Sequence, residues 1–410
     1  MAVGPGTEIR SAQPATAHDG LQAAVDLMEV AMSDTVNEFR RKANGQVVLV
    51  LQGGGALGAY QVGVYEALHE AGVAPDWIIG TSIGAINASI IAGNKPQDRL
   101  TMLNEFWNMV ERPSAWPFAP AWTGISETWL YWSTLLTGIS GFFEPNPPAF
   151  QGVQIPLGAD RAGFYSTTAL RQTLGELVDF SIINTRSPRL TLGAANVQTS
   201  TMHYFDNHQC EISAKHIMAS GALPPAFPAI CINGEYYWDG GVLSNTPIEV
   251  VFDDYPRRNS LIFGVQLWNP KGPVPQSIRE VLNRHKEIQY SARIVSQLPR
   301  LQQTHRLRHV ISQLVRLFPD DVRKSEAVRE LAGYGCVTQM HLVPLLAPRL
   351  ENENHMKDID FSSRGIGMRR EAGYEAAMQA LRQAPWQGEF DPIEGVILHQ
   401  PTPDLAMAAE

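Results

Sequence analysis

The sequence predicts an α/β protein built on a central, mostly parallel sheet, and three observations carry that expectation. VVLVLQ at 47–52 is an unbroken run of β-branched residues and Leu, the composition of a strand buried on both faces. Gly53, Gly54 and Gly55 follow it, then AYQVGVYEALHEAG, a helix closed by Gly72. WIIG, a second short apolar run, ends in the small-residue turn GTSIGA, which opens another helix. Strand, glycine turn, helix, strand, tight turn, helix is how a sheet covered by helices begins.

The remaining elements can be read in order. Residues 1–20 are rich in Ala, Gly, Pro and Thr without periodicity, and read as disordered. From Leu21 to Lys42 the apolar positions Leu21, Val25, Met28, Met32, Val36 and Phe39 recur at steps of three and four, which predicts a helix. Residues 1–45 therefore form an N-terminal segment ahead of a domain at 46–270. An insertion at about 106–150 differs in kind, with Trp107, Trp116, Trp122, Trp129, Trp132 and the pair Phe142-Phe143 set among prolines and glycines. It reads either as a hydrophobic lid or as the core of a small subdomain. RLTLGAANV, MHYFD and SLIFGVQLW supply further strands. From 271 to 410 the chain reads as a mainly helical extension, with a strand at VTQMHLVPLL and a closing helix from Arg364 to Arg382.

Composition excludes several classes. Hydrophobic residues make up 44% of the 410 and charged residues 18%, a globular profile. A net charge of -9 argues against nucleic acid, whose phosphates need a surplus of Lys and Arg. Three cysteines, Cys210, Cys231 and Cys336, with no C-x-x-C pair, suggest neither a disulfide framework nor a zinc site. The first residues lack the basic start and apolar run of a secretory signal, so the cytoplasm is the expected compartment. No apolar stretch is long enough to span a bilayer, and any membrane contact is expected to be peripheral. Between Arg279 and Glu330 there are eleven Lys plus Arg against six Asp plus Glu, either a solvated face or a surface for anionic lipid headgroups.

Three motifs carry chemistry. Gly80-Thr81-Ser82-Ile83-Gly84 is a G-x-S-x-G sequence between a strand and a helix, where small neighbours permit a turn sharp enough to expose the serine. Gly53, Gly54 and Gly55, with Gly58 beyond them, can present backbone N–H groups to an oxyanion. The same glycines fit the dinucleotide fingerprint G-x-G-x-x-G, but that reading needs an acidic residue after the second strand, and Asp76 lies before it. Asp239-Gly240-Gly241 alone would read as a hairpin turn.

Together, GGGALGAYQVG, GTSIGA, ASGALPPAFP and the DGG followed by Asn245-Thr246-Pro247 resemble the patatin-like phospholipase family, over roughly Val47 to Val251. The resemblance implies a patatin-like three-layer fold and a serine lipid acyl hydrolase acting on lipid or acyl-ester substrates. Ser82 would be the nucleophile, Asp239 its base, and Gly53, Gly54, Gly55 and Gly58 the oxyanion loop, with Gly80, Gly84, Gly240 and Gly241 shaping the motifs. Many members carry Arg or Lys before the last loop glycine, where this chain has Leu57. No cofactor is implied, and neither calcium nor another metal is needed where the loop stabilises the oxyanion.

Rival readings have their own signatures. A Ser-Asp-His triad would draw its histidine from His285, His305, His309, His341, His355 or His399, but too few strands precede the nucleophile for that layout, and most of these histidines are expected at the surface. His305 and His309 are spaced like helix metal ligands, yet amid RLRH they read as part of a solvated basic face. A non-catalytic lipid-binding protein would have no need to keep both Ser82 and Asp239. An acyltransferase, thioesterase or storage-polyester hydrolase would use the same dyad, which does not encode the acceptor, the acyl chain or the oligomeric state.

Overall fold

Strand β1 (Gln46–Leu51) sits near the middle of the sheet because its side chains alternate between two separate cores. Val47, Leu49 and Leu51 enter one, Val48 and Val50 the other, and all five are fully buried. Each such side chain contributes about 1.5–3 kcal/mol relative to exposure. The structure, a computed structural model, describes residues 31–112, 136–350, 353 and 355–400.

The sheet comprises β1, β2 (Trp77–Thr81), β3 (Arg189–Asn196), β4 (Met202–Asp206), β5 (Ile230–Ile232), β6 (Glu235–Asp239), β7 (Ser260–Gln266), β8 (Met340–Leu346) and β9 (Val396–Leu398). Its order is β9-β8-β7-β1-β2-β3-β6-β5, with β4 also paired to β3. The run from β9 to β3 is parallel, while β4, β5 and β6 pair antiparallel. This is the expected α/β architecture with a mostly parallel sheet.

Helices cover both faces. Helix α1 occupies 31–43, where Met32, Val36 and Phe39 are buried at the expected spacing. The first part of the expected helix, and the segment 1–20, lie outside the described residues. Helices α2 (Ala59–Glu70), α3 (Ile83–Ala92), α4 (Arg99–Val110), α5 (Thr168–Leu177) and α6 (Ala214–Ser220) follow. The 40-residue α7 (Ile278–Leu317) lays Ile294, Leu298 and Leu301 on the opposite face, against Val48, Val50 and Ile262.

The segment beyond 270 packs on the elements before it. There β8 and β9 extend the same sheet, and α8 (Ser363–Gln383) packs directly on α2. The two helices approach so closely that a β-carbon at Gly373 would stand 2.0 Å from the Tyr60 carbonyl oxygen. Arg370 then pairs with Glu66 at 2.7 Å across that contact.

The aromatic insertion divides in the same way. Phe106 and Trp107 belong to α4 and are core residues. Phe143 is buried and Phe142 half-buried, within ring-contact distance of Phe106, Tyr165, Phe227 and Phe361. These aromatic residues are structural. Trp116, Trp122, Trp129 and Trp132 lie outside the described residues.

Candidate active site

Sheet register brings the three motifs into one row. Leu51 pairs with Gly80, so Gly53 comes level with Ser82, and Thr81 pairs with Gly193. One residue on, Ala194 pairs with Asp239 across the antiparallel β3–β6 contact. The glycine loop, the serine and the aspartate thus meet at the carboxyl ends of β1 and β2, where loops of a parallel sheet gather functional groups.

Ser82 caps α3 with φ 57 and ψ -128, a backbone conformation that L residues seldom adopt. Its N–H faces both the Ser220 carbonyl oxygen and the Ser220 hydroxyl, each at 3.1 Å. Ser220 in turn donates to the Gly193 carbonyl at 2.6 Å. Two residues further, the Ala222 carbonyl accepts from the Asp239 N–H at 2.9 Å. The ASGALPP segment therefore holds both motif residues, a role that its sequence alone did not disclose.

Asp239 is buried, and Oδ1 accepts from the Gly241 N–H at 2.6 Å. Oδ2 is buried with no hydrogen bond. Burial pushes the carboxyl up from 3.8 to about 7, against the opposing pull of the Ser82 hydroxyl and the Gly241 N–H. The serine thus stands close enough to act on the carboxylate without a hydrogen bond of normal geometry to Oδ2, a looseness common in ligand-free sites.

The glycine loop is clamped from outside. Asn245 donates through Nδ2 to the Gly53 carbonyl at 3.0 Å, and its own carbonyl accepts from the Gly53 N–H at 3.2 Å. Trp268 adds a bond to the same Gly53 carbonyl at 2.9 Å. A β-carbon at Gly53 would meet Ser82 Cβ at 2.8 Å, so only glycine permits the approach. Because its N–H is already bonded, Gly53 sets the loop's position. Gly55 has φ 55 and backs onto the Asp358 carbonyl, which a β-carbon would reach at 2.2 Å. Gly58 packs against Ile83, Gly80 against Gly84, Gly84 against Leu51, Gly240 against Gly193, and Gly241 beside Asp239.

Beneath the loop runs a buried polar chain that motif reading missed. Gln61 donates to the Gln52 carbonyl at 2.6 Å, Asn87 to Gln61 at 2.8 Å, and Trp107 to Asn87 at 3.1 Å. Gln52 also bonds Thr246 at 2.6 Å. Each lies beside a motif, the one signal available. An open cleft of about 280 Å³ adjoins Gly241 and Asn245, walled by Val242, Tyr290 and Arg293.

The histidines depart from expectation. His285 is exposed, but His305, His309, His341 and His399 are buried. They are buried because α7 and β9 cover the β8 edge, contacts invisible to local sequence. Burial pulls His305, His341 and His399 down to about 4. Among the described residues no histidine hydrogen-bonds to Asp239.

Residues 49–252 match a family model described as patatin-like phospholipase, and 288–393 match a second described as patatin phospholipase. Lysophospholipase NTE1 of Debaryomyces hansenii is 29% identical over 216 residues, which is 52% of this chain and 12% of that protein. Triacylglycerol lipase ptl3 of Schizosaccharomyces pombe is 34% identical over 80 residues, 19% of this chain and 17% of that one. The chain spans less than a fifth of the length of these curated relatives. Among solved structures, VipD from Legionella pneumophila aligns at TM-score 0.33 and 18% identity, covering 82% of this chain and 66% of that one. On the two family models, which together span about three quarters of its length, the chain belongs to the patatin-like phospholipase family.

Proposed function

We propose that the protein is a serine lipid acyl hydrolase working through a Ser82–Asp239 dyad. The observation that carries this reading is a buried carboxylate with no cationic partner among the described residues, raised to about 7, beside a serine on a strained turn. A carboxylate of ordinary basicity is a poor base for a hydroxyl, and burial supplies the missing basicity near neutral pH.

In the proposed cycle Asp239 takes the Ser82 hydroxyl proton as Oγ bonds to the ester carbonyl carbon. The carbonyl oxygen becomes an oxyanion facing the Gly54 and Gly55 N–H groups and the N-terminus of α3. Collapse breaks the ester C–O bond, and the leaving alcohol receives the proton from Asp239. Water then gives a proton to Asp239 and its oxygen to the acyl carbon, and collapse returns the proton to Ser82 with release of the fatty acid.

The names of the relatives, lysophospholipase and triacylglycerol lipase, support fatty-acyl esters as the substrate class. Among the described residues no helix is long and apolar enough to cross a membrane. Helix α7 carries eight Lys and Arg against two Glu, and exposes Val281, Ile288 and Val295 at steps of seven. This supports peripheral contact with anionic lipid from the cytoplasm, where Cys210 and Cys231 would stay free thiols.

The test is fatty-acid release from lysophospholipid, phospholipid and graded synthetic esters, alongside labelling by a fluorophosphonate. Wild type should release fatty acid and take the label at Ser82. Absence of both from folded protein would remove the reading.

A further inference from the structure

His305 and His309 sit one turn apart on the buried face of α7, at 1% and 4% exposure, and Cys336 approaches from the loop ahead of β8. One ligand atom from each lies within 4.8 Å of the others. With His309 neutral, hydrogen bonding within the protein does not account for this arrangement. His309 Nδ1 is 2.8 Å from the Pro392 carbonyl oxygen and Nε2 is 2.9 Å from the Thr338 carbonyl oxygen. A neutral imidazole has one N–H, so one of these contacts sets a lone pair against a carbonyl. His305 Nε2 faces the same Thr338 oxygen, also at 2.9 Å, while its Nδ1 is buried without a partner.

A cation resolves the conflict. Nδ1–H of His309 then donates to Pro392, the outer bond that ligating histidines habitually make, and Nε2 is left bare for the metal. The Thr338 carbonyl, facing both Nε2 atoms, becomes an oxygen ligand. Around Cys336, the Thr338 N–H approaches Sγ at 3.4 Å and its hydroxyl at 2.8 Å, partners suited to a sulfur carrying negative charge. Two imidazoles, one thiolate and one oxygen in a small, partly buried space is a donor set for tetrahedral zinc. With Zn–N near 2.0–2.1 Å and Zn–S near 2.3 Å, the loop would close by roughly an ångström around the ion.

We propose that His305, His309 and Cys336, with the Thr338 carbonyl, form a structural zinc site that fastens the C-terminal half of α7 to the segments leading into β8 and β9. The site lies at the amino ends of β8 and β9, because Thr338 precedes Met340, which pairs with Val396. By register Ser82, at the carboxyl end of β2, lies seven residues further along the strands than Met340, roughly 23 Å at about 3.3 Å per residue, with two strands between β8 and β2. Its role is to hold the fold, and it stands independently of the hydrolase reading.

The experiment uses the full chain, stripped with a chelator and titrated with Zn²⁺ by calorimetry and with Co²⁺ by absorption. One equivalent should bind, Co²⁺ should give a thiolate-to-metal charge-transfer band, and Zn²⁺ should raise Tm. Cys336→Ser and His309→Ala should each weaken Zn²⁺ at least about tenfold, and Cys336→Ser should lose the band. Both should keep the esterase activity of the zinc-free wild type. A wild-type Co²⁺ titration without the thiolate band overturns the proposal whether or not the variants fold, and so does unchanged zinc affinity in folded variants.

Discussion

Asp239 at the end of β6 and Glu287 on α7 are equally buried, each about 1% exposed, yet their surroundings drive them in opposite directions. Asp239 has one backbone donor and no cation, and burial lifts it to about 7. Burial would lift Glu287 as well, but Arg349 at 2.7 Å, Lys357 at 3.0 Å and Arg284 at 3.1 Å outweigh it and hold the carboxyl below its usual 4.5. Burial makes a carboxylate expensive, and its neighbours decide whether the cost is kept as basicity or cancelled as structure. The two regions are joined. Lys357 precedes Asp358, whose carbonyl backs the Gly55 loop and whose carboxylate pairs with Lys286 at 2.7 Å. The Glu287 cluster therefore steadies the loop that faces Ser82.

The largest effect should come from removing the uncompensated carboxylate. Asp239→Asn and Ser82→Ala should each lower kcat/KM by at least about 10⁴-fold, with the double variant little worse than either, because the two act as a unit. Asp239→Asn should also stabilise the fold. The folded carboxyl is raised above its unfolded value, so wild-type stability falls as pH rises from about 4 to about 7 and stays low above that. The melting-point advantage of the Asn variant should be greatest above pH 7 and vanish toward pH 4. An Asn variant less stable than wild type at pH 8 would break the contrast.

A smaller loss is expected at the loop that both regions support. Gly54→Pro removes one candidate oxyanion donor and should cost about 100-fold in kcat. Leu57→Ala, which leaves the backbone donors in place, should cost only a few-fold. Equal damage from the two would reduce the loop to packing.

The smallest effect on turnover belongs to Glu287→Gln. It leaves the buried Lys357 with only the longer contact to Glu353 at 3.5 Å, and should cost roughly 1–3 kcal/mol of stability, discounted because Arg349 and Arg284 reach solvent. Here the folded pKa is depressed, so the contribution is present above pH 4.5 and lost as pH falls through the folded value. The Tm difference measured at pH 7 should close in acid.

Which parts of this were legible in the sequence follows from how local each constraint is. Ser82 and the glycines stood out because a turn sharp enough to expose a serine, or a loop in contact with it, admits few residue types over a handful of positions, whereas Asp239-Gly240-Gly241 read as a hairpin turn until the family resemblance singled it out. Register did the rest, since β1, β2 and β3 run as the apolar segments indicated. Asn245 and Ser220 lay inside quoted motifs, but their bonds to Gly53 and Ser82 exist only after distant segments meet. His305 and His309 were misread because polar residues broke the apolar pattern of α7. Glu287, Ser291, Ile294, Leu298, Leu301, His305 and His309 follow one another at steps of three and four, so a face defined by spacing rather than hydropathy would have placed both histidines inside. The pairing of the C-terminal strand was illegible for a related reason: nothing local in VTQMHLVPLL says that it joins β7.

The central claim is that Asp239, with no histidine, is the base for Ser82, and the pH dependence of Ser82 acylation tests it most directly. The rate of labelling by a small activated ester should be followed from pH 5 to about 9 in wild type, in Asp239→Asn and in single alanine variants of His285, His305, His309, His341, His355 and His399. The expected result is an acid limb with an apparent pKa of about 7 in wild type, retained in every folded histidine variant and absent from the slow residual reaction of Asp239→Asn. A limb that survives in Asp239→Asn, or disappears with one histidine, would contradict the account.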